Sequence, residues 1–117
     1  MSCFAGGGVA DGVVTFVLTD VVSSTELWER SPEAMDEALA RHDEIVAMAV
    51  TAHGGSQLRS KGEGDSTFSV FGRASDALRA AYQLQRMMRV EPWPAGAEIR
   101  TRVGVDTSEA ANGAAVS

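Results

Sequence analysis

The strongest constraint on the fold is one short run, Val13 to Thr19, which reads Val-Val-Thr-Phe-Val-Leu-Thr. It is β-branched, aromatic and apolar, and it carries no charge until Asp20 ends it. Such a run fits a strand buried in the middle of a sheet. A central strand needs partners along both edges and apolar cover on at least one face. The remaining residues must therefore supply further strands and helices. A length of 117 residues suits one domain with a real core and is too short for two.

The elements that follow meet this demand. Ser23 and Glu26 have capping-box spacing, which predicts a helix start. Ser31-Pro32 reads as a second start, with Ser at the N-cap and Pro at N1. Met35, Leu39, His42, Val46 and Ala49 recur at helical spacing, and His53-Gly54-Gly55 stops the helix. Gln57 to Lys61 reads as a short strand and Gly62-Glu63-Gly64-Asp65 as a tight turn. Ser66 to Phe71 alternates, with Phe68 and Val70 on one side and Thr67, Ser69 and Phe71 on the other. Asp65 falls by parity with Thr67 and Ser69. Ala74 to Arg89 reads as a second long helix, with Ala77, Ala81, Leu84 and Met88 as its apolar stripe. A break at Glu91-Pro92-Trp93-Pro94 precedes a fourth strand, Ile99 to Val105, with Arg100 and Arg102 on its polar side.

The order β-α-β-β-α-β predicts an α+β fold: a ferredoxin-like core, an antiparallel sheet with two helices on one face. The expected domain spans 13–107. A flexible Gly-rich segment, 1–12, precedes it, and a tail expected to fray, 108–117, follows.

Composition narrows the function. Lys+Arg 10 against Asp+Glu 16 gives a net charge of -6, which argues against nucleic-acid binding. No apolar run approaches the roughly 20 residues of a membrane span, and the N-terminus lacks a signal-peptide pattern. Cys3 is the only cysteine and cannot form an internal disulfide or a thiolate cage. A cytoplasmic location is the expectation. Nine of the ten basic residues are Arg, and Lys61 is the one Lys.

Two carboxylates stand where chemistry is possible. Asp20 ends the first strand and Asp65 lies at a hairpin turn. In a ferredoxin-like order those strands are neighbours, so the two acids can share a hard divalent cation. Spacing alone leaves them open to reading as a loop cap and a turn residue, since Asp at a strand end is common in turns. Ser23, Ser24 and Thr25 at a helix start suit either an anion or plain capping. Arg100 and Arg102 suit phosphates or surface ion pairs. His42 and His53 read as packing or helix-surface residues, and Trp28 and Trp93 as packing and turn anchors. Glu63 reads as a solvated turn residue.

Taken together, VTFVLTDVVSSTELWE, RHDEIVAMAVTAHGG, KGEGDSTFSVF and IRTRVGV resemble the class III adenylate/guanylate cyclase catalytic domain of bacteria. The resemblance covers roughly Val13 to Thr107. Its specific parts are the FxxTDxxxST stretch from Phe16 to Thr25 and the KxxGD step from Lys61 to Asp65. It implies conversion of ATP, in preference to GTP, to cyclic AMP and pyrophosphate with two Mg²⁺ or Mn²⁺ ions. It implies that Asp20, Asp65 and the backbone of Val21 bind metal. Val22, Ser23, Ser24, Thr25 and Arg102 would bind phosphates, and Lys61 the purine. It also implies a site shared across a homodimer or a heterodimer with another cyclase-like domain. The family's His-Thr-Gly-Glu step reads Asp106-Thr107-Ser108-Glu109 here. Its transition-state Asn and Arg have no counterpart, which implies a C-terminally truncated domain, incomplete or weakly active alone. The alternative is a non-catalytic nucleotide-binding or dimerisation module in signalling or transcriptional regulation.

Overall fold

The computed structural model describes residues 11–58 and 66–111. Its elements are β1 (Asp11–Val21), α1 (Ser24–Arg30), α2 (Pro32–Ala52), β2 (Ser56–Leu58), β3 (Ser66–Phe71), α3 (Ala74–Val90) and β4 (Thr101–Ala111). The strands form one antiparallel sheet in the order β2-β3-β1-β4. This is the predicted α+β, ferredoxin-like arrangement. The described helices number three, because the starts at Ser24 and Pro32 belong to separate helices.

β1 is the central strand that its composition demands. It pairs with β3 from Thr15 to Asp20 and with β4 from Asp11 to Val21. The pleat sorts its side chains by parity. Val17 and Val21 turn toward the helices, while Val14 and Phe16 turn away and pack with Phe68 and Val70. On the helix side, Val17 and Phe71 meet Ile45, Val46, Ala49 and Val50 of α2 and Ala77, Ala80, Leu84 and Met88 of α3. The α3 stripe takes Ala80 where Ala81 was expected. Steps of three, four and four from Ala77 track the 3.6-residue turn and leave Ala81 half-buried. His42 is fully buried on α2, as a packing residue, with its Nδ1 3.0 Å from Asp43 Oδ1.

A second cluster of Val21, Leu27, Met35, Ala38, Ala97 and Ile99 ties α1 and the start of α2 to the segment before β4. Trp93 packs against both clusters and donates its indole N–H to the Met88 carbonyl at 3.0 Å. Trp28 does not share that anchoring role, being 37% exposed. Arg41 binds Glu44 and Glu91, joining α2 to the end of α3, and those hydrogen bonds raise its already high pKa. Glycine is required where α2 ends. Gly54 is left-handed at φ 78°, and a Cβ on Gly55 would lie 2.5 Å from the Phe71 ring.

Four expectations change. The capping box at Ser23 does not form, because Ser23 is left-handed (φ 57°, ψ 40°). A cap side chain reaches the helix N–H groups from an extended backbone, which Ser23 lacks. Ser31 likewise makes no side-chain cap bond. β2 begins at Ser56, and its expected continuation to Lys61 lies outside the described residues. β4 begins at Thr101, leaving Ile99 to the second cluster, and runs past Val105 to Ala111. Ser108 to Ala111 lack an apolar period but pair with Val14 to Asp11 of β1 through the backbone. Among the described residues no helix is long and apolar enough to cross a membrane.

Candidate functional site

The sheet face away from the helices carries the polar constellation. Asp20, the penultimate residue of β1, has Ser66 of β3 as its register partner on one side and Arg102 of β4 on the other. All three have the parity of Phe16, so they form one row on the open face. Ser66 Oγ donates to Asp20 Oδ1 at 3.3 Å, and Arg102 Nη2 donates to Oδ2 at 3.2 Å. The ion pair is solvated: the side chains of Arg102 and Asp20 are 70% and 46% exposed.

The next row holds Phe68, Leu18 and Gly104. With the polar row it bounds a groove of about 530 Å³, lined by Leu18, Asp20, Ser66, Phe68, Arg102 and Gly104 among others. Leu18 is 42% exposed there, and a Cβ on Gly104 would meet nothing within 4 Å. Phe68 also stacks on Phe16, with ring centroids 4.9 Å apart. The groove thus pairs an apolar, aromatic floor with a charged rim, the usual composition of a small-molecule site.

The chain leaves Asp20 through a tight turn. Val22 donates its N–H to the Arg100 carbonyl at 2.8 Å. Ser23 then takes the left-handed conformation and α1 begins at Ser24. Ser23 is the one positive-φ residue other than glycine among the described residues, and such strain often accompanies functional turns. The first N–H groups of any helix lack intrahelical acceptors. Those of Ser24 and Thr25 belong to this class, whereas the N–H of Val22 is already used.

The structure brings Asp20, Val21 and Arg102 together at one end of the sheet, next to Ser23, Ser24 and Thr25. Lys61, Glu63 and Asp65 lie outside the described residues. Ser66, the residue after Asp65 in sequence, is the register partner of Asp20. Arg100 does not share the groove. It precedes β4, so strand parity does not govern it, and it borders a hollow with Gln85 and Arg89. His53 bonds Gln83 at 2.8 Å, away from the groove. Ser66 and Gly104 were missed as site residues by sequence reasoning. Their signal was register: both stand opposite β1 residues at the predicted strand end.

The donor chemistry fits a hard cation. Asp20 offers carboxylate oxygens at a partly exposed strand end, and Mg²⁺ often binds through only one or two carboxylates plus phosphates and water. Among the described residues no group of three or more His, Cys, Asp or Glu gathers.

Comparison with known proteins agrees with this fold. No family model matches the chain. An uncharacterised protein of Mycobacterium tuberculosis is 45% identical over 98 residues, 84% of this chain and 32% of that protein. The adenylate cyclase of Podospora anserina is 34% identical over 84 residues, 72% of this chain and 4% of the relative. The chain therefore spans about a third of the mycobacterial relative and a small part of the fungal one. Adenylate cyclases of Trypanosoma brucei, solved in their monomeric state, superpose with a TM-score of 0.72 at 21% identity, covering 89% of this chain and 59% of that one. The guanylate cyclase domain of a Catenaria anguillulae protein, solved with GTP, gives 0.71 at 20% identity, covering 82% and 56%.

Proposed function

We propose that this chain, a cyclase-type domain of class III fold with adenylate cyclases among its sequence relatives, provides the metal- and phosphate-binding side of a nucleotide cyclase site. The observation that carries the reading is the row Ser66–Asp20–Arg102 at the mouth of an apolar groove, beside the turn into α1. The substrate is ATP in preference to GTP, and the products are cyclic AMP and pyrophosphate.

The roles of Asp20, Val21, Ser23, Ser24, Thr25 and Arg102 are supported by their place at one end of the sheet, and those of Asp65 and Lys61 by the sequence resemblance. Asp20 and the Val21 carbonyl hold Mg²⁺ or Mn²⁺, with Asp65, joined to Ser66 by one peptide bond, as the second carboxylate. When bound, the cations supply Lewis-acid polarisation of phosphate and hydroxyl oxygens. Ser23, Ser24 and Thr25 offer N–H and hydroxyl donors to the phosphates at the start of α1. Arg102 adds a guanidinium at the rim, and Lys61 would contact the purine across the dimer interface, in the site whose aspartates the partner domain supplies. The Leu18–Phe68–Gly104 floor offers an apolar surface to one side of the nucleotide.

A transition-state Asn and Arg come from a second cyclase-type domain, so the working unit is a dimer. Loss of preorganised charge of this kind costs roughly 10²–10³-fold per group. The test is cyclic AMP formation from ATP and Mn²⁺ by this chain, alone and with a partner domain carrying the Asn and Arg. Turnover is expected with the partner and is lost in Asp20→Ala. ATP binding without turnover in either setting would favour a non-catalytic nucleotide-binding module. An absence of both binding and turnover would sink the cyclase reading.

A further inference from the structure

We infer that Arg102 is a tethered competitor for the cation at Asp20, so that a divalent ion binds there by releasing Arg102, which is then free for an anion in the groove. The inference rests on reading Asp20 as a metal ligand. Its ground is the contact itself. Register sets Arg102 directly across from Asp20, and Nη2 lies 3.2 Å from Oδ2. The other oxygen, Oδ1, accepts from Ser66 at 3.3 Å. Both carboxylate oxygens are therefore engaged by the protein. A cation approaching Oδ2 competes for the same lone pairs and repels the guanidinium.

Arg102 can leave at small cost. Its side chain is 70% exposed, and solvated ion pairs are weak. It also has a destination, since it lines the groove in which an anion would sit. A cation expels Arg102 from Asp20, and an anion captures it. The two ligands therefore favour each other, and linkage makes the effect reciprocal.

The experiment is calorimetric titration of Mn²⁺ alone into the wild-type chain, Arg102→Gln, Arg100→Gln and Asp20→Asn. Arg102→Gln is expected to bind Mn²⁺ about two- to fivefold more tightly, the range that an exposed ion pair allows. Arg100→Gln removes the same charge nearby without touching Asp20 and is expected to change little. Circular dichroism confirms that each variant is folded. In a second arm, inorganic phosphate binding followed by NMR is strengthened by Mg²⁺ more in wild type than in Arg102→Gln, and an equal gain in the two overturns the release of Arg102 to the anion. Equal Mn²⁺ affinity in Arg102→Gln and Arg100→Gln overturns the competitor role while leaving the metal site standing. Undiminished Mn²⁺ binding in Asp20→Asn overturns both.

Discussion

On the helix side of the sheet, Val17 and Phe71 are sealed beneath α2 and α3. On the other side, Leu18 and Asp20 open onto a groove, although Leu18 follows Val17 directly along β1. The covered face admits polar atoms mainly as small hydroxyls, and Thr19 and Thr67 pair there at 2.6 Å. The open face carries a full charge pair, Asp20 with Arg102, which water keeps inexpensive. Toward its C-terminal end β1 thus separates stability from chemistry by parity: Val17, Thr19 and Val21 are buried toward the helices, whereas Leu18 and Asp20 face the groove. Farther back, Val14 and Phe16 share the groove's parity but are buried, so it is the end of the strand where one kind can be altered with limited effect on the other.

That contrast can be attacked in order of effect. Phe71→Ala on the covered face is expected to cost about 3–5 kcal/mol in urea unfolding. Phe68→Ala on the open face should cost about 1–2 kcal/mol, the loss of a half-buried ring and its stack on Phe16. Equal losses would break the contrast. Next, Thr19→Val strands the Thr67 hydroxyl in the core and should cost about 1–3 kcal/mol, whereas the double variant with Thr67→Val should recover most of it. A double-mutant cycle measures the coupling, and additivity would mean that the pair is not a unit.

Smaller effects fall on the groove. Gly104→Val should leave stability unchanged or raise it by up to about 1 kcal/mol, since glycine disfavours strands and its Cβ space is empty. The same variant should weaken ATP binding by filling the groove, and unchanged binding would move the nucleotide elsewhere. Arg102→Gln should shift the unfolding free energy by no more than about 0.5 kcal/mol. A larger loss would make the pair a structural element.

Much of the scaffold was legible because burial writes a period into the chain. β1, β3 and the two long helices follow from apolar spacing, and β3 matches Ser66 to Phe71 at both ends. β4 outruns its apolar run because Ser108 to Ala111 join the sheet through backbone pairing, which leaves no hydrophobic signature. The left-handed turn at Ser23 was hidden too, since Ser suits a conventional cap equally well. In the site, resemblance marked Asp20 and Arg102 separately, for metal and for phosphate. Their contact spans 82 positions and depends on the register of β1 against β4, which neither segment encodes alone.

The central place of β1 bears on how the molecule assembles in time. It is the first described strand to be synthesised, yet Asp20 waits 46 residues for Ser66 and Thr15 waits 92 for Thr107. At about 5–20 residues per second, the later partner emerges roughly 5 to 20 s after β1. During that interval an apolar strand has no partner along the edge that β4 will fill, the condition in which chains associate wrongly. Slow translation between β1 and β4 should therefore lower the soluble yield, and a nascent chain halted before Thr101 should be a ready client for chaperones.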